Sequence, residues 1–399
     1  MYLGIDISEL KDKKAYHTAK EISQQPDVWV ESIKNMSKKS NEIKQFKENF
    51  LKEDNLRIIL TGAGTSAFAG EICAPYLSEF LQMPVEAIAT TDIVGTPAKY
   101  LYKNRPTVLI SFARSGNSPE SVAAVDLVNK YVDNVYQIVI TCNKDGHLAK
   151  NSINDDKNLV ILMPDACNDE GFAMTSSVTT MILNCIGIFK IEHIDAYLKD
   201  VIKLSTSVDN FIEKNINHIL DLAKEYVERI IYLGLGSLKG MSRESALKLL
   251  ELTSGIVNAN YDTPLGFRHG PKSVVNDKTI TIFYLSNNPY SRLYDVDLIN
   301  EMSKQRKKDK ILLVGCNIDN DLKELVNDFV EIEDLCFSED NEVFLALQQL
   351  IFGQIFSFYK SLVLGITPDN PCPTGEVNKV VKGVIIHECC MQEVLGYGK

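Results

Sequence analysis

The chain has 399 residues, 45% of them hydrophobic, and a formal net charge of -11 at pH 7. This length suffices for two cores of ordinary size, and the acidic balance argues against nucleic-acid binding. The first residues lack the apolar core of a signal peptide, and no run reaches membrane-spanning length, so we expect no membrane association.

Residues 1–50 form a predicted helical leader. After Pro26, large apolar residues recur at steps of three and four, which is typical of a helix that packs along one face. These residues are Trp29, Ile33, Met36, Ile43, Phe46 and Phe50. We expect the stripe to cover either its own domain or a partner subunit.

Residues 51–200 form a predicted first α/β domain. Short apolar runs alternate with amphipathic stretches, at residues 55–60, 107–112, 135–141 and 159–163. Such runs predict an open, mostly parallel sheet flanked by helices, a three-layer α-β-α sandwich. Ligands of these sheets bind beyond the carboxyl ends of the strands.

Two loops at predicted strand ends of this domain carry the candidate binding residues. Hydroxyls, an arginine and free N–H groups at a helix N-terminus form a compact anion site, suited to a phosphate monoester. The predicted phosphate-binding residues are Gly64, Thr65 and Ser66 in the first loop and Arg114, Ser115, Asn117 and Ser118 in the second. The alternative is that Ser115 and Ser118 only cap a helix, a common use of serine.

The first loop also fits the loose dinucleotide pattern GxGxxA, from Gly62 to Ala67, so a nicotinamide-dependent redox enzyme is an alternative. A redox enzyme of this type needs an acidic residue at the end of the second strand, and the one candidate, Glu86, is poorly placed. A pyrophosphate would need only the first loop. The second loop therefore favours a phosphate monoester, and we expect no cofactor.

Beyond this domain lies a predicted helical linker, residues 201–228, with apolar residues along one side. Residues 229–368 form a predicted second α/β domain, and residues 369–399 form a tail. The second domain repeats the first, because Gly62 and Gly64 align with Gly234 and Gly236 at an offset of 172 residues. The next matched strand keeps that offset, and the one after it has an offset of 174. We infer one ancestry for both domains.

The second repeat lacks the Ser-Gly-Asn-Ser signature and instead carries a polar stripe on a predicted helix. Glu244, Lys248 and Glu251 have i, i+4, i+7 spacing and so lie on one helix face. The alternative is an exposed ladder of ion pairs. A following loop rich in proline and glycine presents Arg268 and His269, and such loops often carry catalytic or binding groups.

No metal site is expected. The run from His387 to Cys390 lacks a second histidine at helical spacing. The nine cysteines are scattered without a CxxC pair, which indicates a reducing, cytoplasmic compartment rather than a disulfide framework.

Residues 50–385 resemble the sugar isomerase (SIS) domain proteins, and within them the AgaS group of tagatose-6-phosphate ketose/aldose isomerases and galactosamine-6-phosphate deaminases. The two phosphate loops, the run from Leu265 to Pro271 and the run from Asp369 to Pro371 carry the match. The Phe-Arg-His-Gly-Pro run is the most discriminating. The resemblance implies two tandem SIS domains and a sugar 6-phosphate as substrate.

The isomerase half of glucosamine-6-phosphate synthase is similar at Lys248, Glu251 and His269. This resemblance implies that Glu251 moves a proton between C1 and C2, with Lys248 beside it in the site. It also implies that His269 assists ring opening and comes from the other subunit, so that a homodimer or higher homo-oligomer is expected.

The same resemblance implies that the serines of both loops hold the 6-phosphate: Ser66, Ser115 and Ser118. The chain departs from the synthase at Ala113, where the synthase has a serine, and Arg114 is the candidate to supply that contact. Lys379 falls near a lysine of the family's C-terminal tail and is a further candidate binding residue.

The implied reaction converts galactosamine 6-phosphate and water to tagatose 6-phosphate and ammonia. The alternatives are a plain tagatose-6-phosphate ketose/aldose isomerase, an Amadori-type sugar-phosphate deglycase, and a sensor that binds a sugar phosphate without turnover. The presence of Lys248, Glu251 and His269 together favours an enzyme. Glutamine-dependent synthesis is not expected, because the chain begins Met1-Tyr2 and its first cysteine is Cys73.

Overall fold

The computed structural model describes residues 1–152, 155–305, 309–335, 342–379, 381 and 383–389. Cys390 and the end of the predicted tail lie outside these residues. The strands are β1 (Arg57–Thr61), β2 (Val85–Ala87), β3 (Thr107–Ala113), β4 (Val135–Thr141), β5 (Asn158–Leu162), β6 (Arg229–Leu233), β7 (Asn258–Asp262), β8 (Thr279–Tyr284), β9 (Lys310–Gly315) and β10 (Asp328–Glu331).

The α-helices of the described residues follow in chain order. They are α1 (Ile7–Asp12), α2 (Tyr16–Ser23), α3 (Gln25–Lys38), α4 (Ser40–Leu51), α5 (Thr65–Leu81), α6 (Thr90–Gly95), α7 (Pro119–Tyr131), α8 (His147–Asn151), α9 (Ser176–Phe189), α10 (Ile194–Lys224), α11 (Ser237–Leu252), α12 (Pro264–Phe267), α13 (Pro289–Gln305), α14 (Asn320–Leu325) and α15 (Glu342–Val363). Within the described part of the chain, none of these helices is long and apolar enough to cross a membrane.

Two five-stranded parallel sheets organise the chain. The first has the strand order β2-β1-β3-β4-β5 and the second, taken in the same direction, β7-β6-β8-β9-β10. The register repeats as well, since Arg57 lies opposite Thr107 in the first sheet and Arg229 opposite Thr279 in the second. Both pairs differ by the predicted offset of 172 residues. The predicted fold class, two tandem α/β domains, is confirmed.

The central strands were predictable because they are buried on both faces. Every residue of β3 and of β8 is buried, as expected for strands covered by helices on both sides of a parallel sheet. The edge strand β7 was not predicted. Its sequence, NANYD, has no apolar run and only one buried residue, Ala259, so its place in the sheet depends on pairing with β6.

The described residues group into two compact units, and each holds one sheet. The sheet-1 unit comprises Glu31–Asn168, Ser177–Tyr197 and Val377–Lys399. The sheet-2 unit comprises Met1–Val30, Asp169–Ser176 and Leu198–Glu376. The contiguous domain boundaries derived from the sequence stay a prediction.

The apolar stripe of the leader is buried within the chain itself. In the sheet-1 unit, the rings of Phe46 and Phe50 each lie 6.1 Å from the ring of Tyr136 on β4. Met36 reaches α9 at Gly187, where an added Cβ would stand 2.7 Å from the methionine sulfur. Met36, Phe46 and Phe50 therefore pack within the sheet-1 unit.

In the sheet-2 unit, α11 packs against α15 at very short range. An added Cβ on Gly353 of α15 would lie 2.6 Å from the hydroxyl of Ser245 on α11. That hydroxyl accepts a hydrogen bond of 2.9 Å from Tyr284 at the end of β8. A side chain at position 353 would overlap the hydroxyls of Ser245 and Tyr284, so glycine lets α15 pack close to α11 and to the end of β8.

Candidate active site

The first glycine loop connects β1 to α5 and has a backbone that only glycine accommodates. A Cβ on Gly62 would lie 2.6 Å from backbone atoms of Ser66. Gly64 has φ 56° and ψ -129° as the N-cap of α5, a conformation that side chains disfavour. Thr65 and Ser66 open the helix and are buried. Their N–H groups stand at a helix N-terminus, where an anion is stabilised.

The second loop connects β3 to α7. Gly116 has φ 66°, and Ser118 is the N-cap residue of α7, yet its side chain makes no capping hydrogen bond. The Ser115 hydroxyl accepts from the N–H of Asn117 at 3.3 Å. Helix capping therefore does not account for Ser118.

Arg114 supplies a buried cation to this loop. Its Nη2 donates to the backbone carbonyl of Lys379 at 3.2 Å, which places that tail residue beside the loop. The other terminal nitrogen, Nη1, is buried and has no hydrogen-bond partner among the described residues. A buried, unpaired guanidinium donor is costly unless an acceptor binds it, and an oxyanion is a suitable acceptor.

Two asparagines hold the second loop in shape. The Asn117 side-chain carbonyl accepts from the N–H of His147 at 2.9 Å, and Asn143 Nδ2 donates to the Ser115 carbonyl at 2.9 Å. Part of the Asn117 amide thus supports the loop. The contact of Asn143 was not predicted from the sequence, although Cys142-Asn143 after β4 matches Cys316-Asn317 after β9 at the offset of 174 residues.

Glu86, the candidate for binding a dinucleotide ribose, is already paired. Both of its carboxylate oxygens accept from Arg57, at 2.5 Å from Nε and 2.9 Å from Nη2. This bidentate pairing lowers the pKa of Glu86. Because the carboxylate is tied to β1, the nicotinamide alternative loses its one candidate residue.

In the sheet-2 unit, the polar stripe of α11 is buried. Lys248 Nζ lies 2.5 Å from Glu251 Oε2 and 3.4 Å from Glu244 Oε1. The side chains of Lys248 and Glu244 are fully buried, whereas that of Glu251 is 23% exposed. An exposed ladder of ion pairs is therefore excluded, and Glu251 is the member of the triad that solvent reaches.

Opposing effects act on the pKa of Lys248. Burial lowers it, but the charges and hydrogen bonds of Glu244 and Glu251 outweigh burial, so the pKa lies above its usual value. The lysine is therefore a permanent cation shared by two carboxylates. A base at position 251 is oriented by this cation from the interior of the protein.

The loop after β7 presents His269 at the surface. Thr263 caps the short helix α12 by accepting from the N–H of Gly266 at 2.9 Å, and His269 follows that helix as an exposed residue. Arg268 Nε lies 3.1 Å from Glu301 Oε2 on α13, and Lys272 pairs with the same carboxylate. The Arg268 guanidinium thus forms an ion pair with Glu301.

The Asp-Asn-Pro motif has a role that sequence analysis did not assign. The Asp369 carboxylate accepts from the N–H of His17 at 3.1 Å and from the N–H and hydroxyl of Thr18 at 2.8 Å. The motif thus caps α2 from a position 351 residues away along the chain. No local signal in the sequence links the two.

The described residues contain no group of three or more His, Cys, Asp and Glu side chains arranged to hold a metal ion. The seven cysteines in the described ranges are free thiols: Cys73, Cys142, Cys167, Cys185, Cys316, Cys372 and Cys389. The first five are buried. Buried free thiols pack as small apolar groups.

Comparison with known proteins places the chain in a family. Residues 50–186 match the SIS domain model. D-galactosamine-6-phosphate deaminase AgaS of Escherichia coli is 42% identical over 375 residues, which span 93% of this chain and 95% of the relative. The protein of the same name in Shewanella sp. (strain ANA-3) is 39% identical over 388 residues, with 96% and 95% covered.

A solved structure supports the same family assignment. The crystal structure of tagatose-6-phosphate ketose/aldose isomerase from Escherichia coli superposes with a TM-score of 0.85 at 40% sequence identity. The superposition covers 93% of this chain and 96% of the other. The chain therefore belongs to the SIS-domain proteins and, within them, to the AgaS family.

Proposed function

We propose that this protein is a sugar-phosphate isomerase and deaminase that converts galactosamine 6-phosphate and water to tagatose 6-phosphate and ammonia. Two relatives of about 40% identity along nearly the whole chain are named D-galactosamine-6-phosphate deaminase AgaS. The buried triad on α11 carries the proposal, because it orients one partly exposed carboxylate, Glu251, as a base. In this proposal water cleaves a C–N bond, so the enzyme is of the hydrolase type.

Each assigned residue meets a chemical requirement of that reaction. Ring opening requires a group that exchanges protons near neutral pH, and histidine is suited to this, which assigns it to His269. Glu251 then removes the proton from C2 and returns one to C1. The resulting ketimine at C2 is hydrolysed by water to the ketone and ammonia. We assign Lys248 to positioning Glu251, since the lysine is fully buried between two carboxylates.

The phosphate group is assigned to the two loops of the sheet-1 unit. The N-terminus of α5 supports this assignment. The Ser118 hydroxyl, which makes no capping hydrogen bond, also supports it, as does Arg114 Nη1, which has no hydrogen-bond partner among the described residues. A fixed phosphate holds one end of the open-chain sugar, which lowers the entropy cost of reaching the reactive geometry.

Plain isomerisation of tagatose 6-phosphate is the second candidate function, because the 40% identical Escherichia coli structure is named as that isomerase. Ammonia release from galactosamine 6-phosphate and from glucosamine 6-phosphate separates the two. We expect release from the galacto sugar at a kcat/KM at least tenfold above that for the gluco sugar. If neither amino sugar releases ammonia and tagatose 6-phosphate is isomerised, the protein is a plain isomerase.

Replacing Arg114 with leucine is expected to raise KM for the sugar phosphate by about 10- to 100-fold, the effect of losing a hydrogen bond from a charged donor. We expect kcat to change by less than threefold, because the arginine is assigned to the phosphate and not to the reacting carbons. Steady-state kinetics measure both. Arg105→Leu is the matched control, since Arg105 is half-buried and donates to the Asn55 carbonyl outside both loops. Equal KM for wild type and Arg114→Leu would contradict the assignment.

We also propose a homodimer in which His269 acts in the partner's site. The exposed position of His269 supports this. Mixing unfolded Glu251→Gln and His269→Ala chains and refolding them together is expected to recover about a quarter of wild-type activity, because half of the dimers are mixed and each mixed dimer has one intact site. If no activity is recovered, Glu251 and His269 act within one chain. Each variant refolded alone is the control.

A cytoplasmic location is proposed as well. The seven free cysteines of the described ranges support it, since free thiols persist in a reducing compartment.

A further inference from the structure

The glycine loops of the two repeats, between β1 and α5 and between β6 and α11, have the same backbone conformation. They differ in the side chains that lie against them. Gly64 has φ 56° and ψ -129°, and Gly236 has φ 55° and ψ -129°. Chain neighbours aside, no described atom lies within 4 Å of where a Cβ would stand on Gly64. At Gly236 the carboxylate oxygens of Glu342 lie 2.7 and 2.8 Å from that point. A carboxylate thus lies against the glycine loop between β6 and α11.

This carboxylate lies at a helix N-terminus. Glu342, the first residue of α15, accepts from the N–H of Ser237, the first residue of α11, at 2.9 Å. Ser237 corresponds to Thr65 at the offset of 172 residues. Its hydroxyl is fully buried and has no hydrogen-bond partner among the described residues. The site therefore has a further donor for an oxyanion.

The loop after β8, which corresponds to the loop between β3 and α7 in the first repeat, also has a carboxyl group against it. Ser286 corresponds to Arg114 at that offset, and its N–H donates to Asp295 Oδ2 at 3.0 Å. Asp295 is buried, and burial, with a smaller contribution from the charge of Glu342, raises its pKa to about 7. Side-chain carboxylates thus lie on both loops that correspond to the phosphate loops of the first repeat.

We propose that the second repeat contains an anion-binding site built like the phosphate site proposed for the first, on which the comparison rests, and that the Glu342 carboxylate occupies it in place of an external oxyanion. Removal of that carboxylate would open the site to a small carboxylate or to phosphate. This occupancy keeps the N-terminus of α11 capped by the protein itself. It also distinguishes this loop from the one at Gly64, which no described side chain covers.

The test is stabilisation of Glu342→Ala by small carboxylates, which act as stand-ins for the missing side chain. Thermal unfolding in sodium chloride should show a melting temperature about 2–8 °C below wild type, the effect of losing a helix cap. Sodium formate or acetate at the same ionic strength should restore at least half of that loss, since a ligand of the folded state stabilises it. Wild type and Glu324→Ala, a change at an exposed position on α14, should not respond.

Glu342→Gln is the second variant, because glutamine fills the site and retains an acceptor. It should lose less stability than the alanine variant and gain nothing from formate. If Glu342→Ala does not fold in chloride, the refolded fraction in formate compared with chloride gives the same test, and equal fractions would overturn the proposal. So would an equal response of Glu342→Ala and Glu324→Ala to formate. Stability alone is measured, so the result is independent of any activity towards sugar phosphates.

Discussion

Glu251→Gln is expected to lower kcat for ammonia release by about 100- to 10,000-fold, the usual contribution of general acid-base catalysis. Glutamine retains an oxygen that can accept from Lys248, which lies 2.5 Å from the carboxylate, so the fold should persist. The change removes the basicity that abstracts the C2 proton and leaves the residues assigned to the phosphate intact. We therefore expect KM to change by only a few-fold.

Steady-state kinetics with galactosamine 6-phosphate and the melting temperature of the variant measure these effects together. Glu324→Gln is the matched control, because Glu324 is exposed on α14. A second readout is exchange of the C2 proton with solvent deuterium, which the base alone should control. A kcat within tenfold of wild type, with the fold intact, would show that another group takes the proton.

Lys248→Met is expected to destabilise the protein by about 3–5 kcal/mol, the cost of leaving a buried charge without its partner. Methionine is unbranched like lysine and one atom shorter, and it removes the cation that lies 3.4 Å from Glu244 and 2.5 Å from Glu251. Glu244 is fully buried, so it must either stay charged at high cost or bind a proton. Activity should fall as well, because Glu251 loses its orienting contact.

Urea unfolding of Lys248→Met and of the double variant Glu244→Gln/Lys248→Met measures this effect. The second change should recover part of the lost stability, since residues of one ion-pair network are not additive. A loss below about 1 kcal/mol in the single variant, the range of exposed pairs, would mean that the triad is not an electrostatic unit.

The two sheets could be predicted because their central strands are buried on both faces and their glycine loops are tied to strand ends. A repeated pattern with a constant offset then predicted the second sheet from the first. The edge strand β7 could not be predicted, since its residues are mostly polar and pairing with β6 places them. The equal strand order of the two sheets agrees with the repeat, whereas the division of the leader between the two units was not predicted.

For the candidate site, i, i+4, i+7 spacing predicted that Glu244, Lys248 and Glu251 share a helix face. The same spacing suits an exposed ladder and a buried triad equally, so the sequence alone could not predict that Glu244 and Lys248 are buried. Glu342 had no local signal, because it contacts Ser237 from 105 residues further along the chain. Contacts of this range depend on the tertiary fold.

The most direct test of the proposed function quantifies both products of one reaction. Galactosamine 6-phosphate is incubated with the wild-type protein in D2O, and ammonia and tagatose 6-phosphate are measured in the same samples, with the deuterium content at C1. We predict equal amounts of the two products and their loss in Glu251→Gln. Deuterium at C1 would reveal any proton returned from solvent. Tagatose 6-phosphate turnover without ammonia from the amino sugar would contradict the deaminase and leave an isomerase.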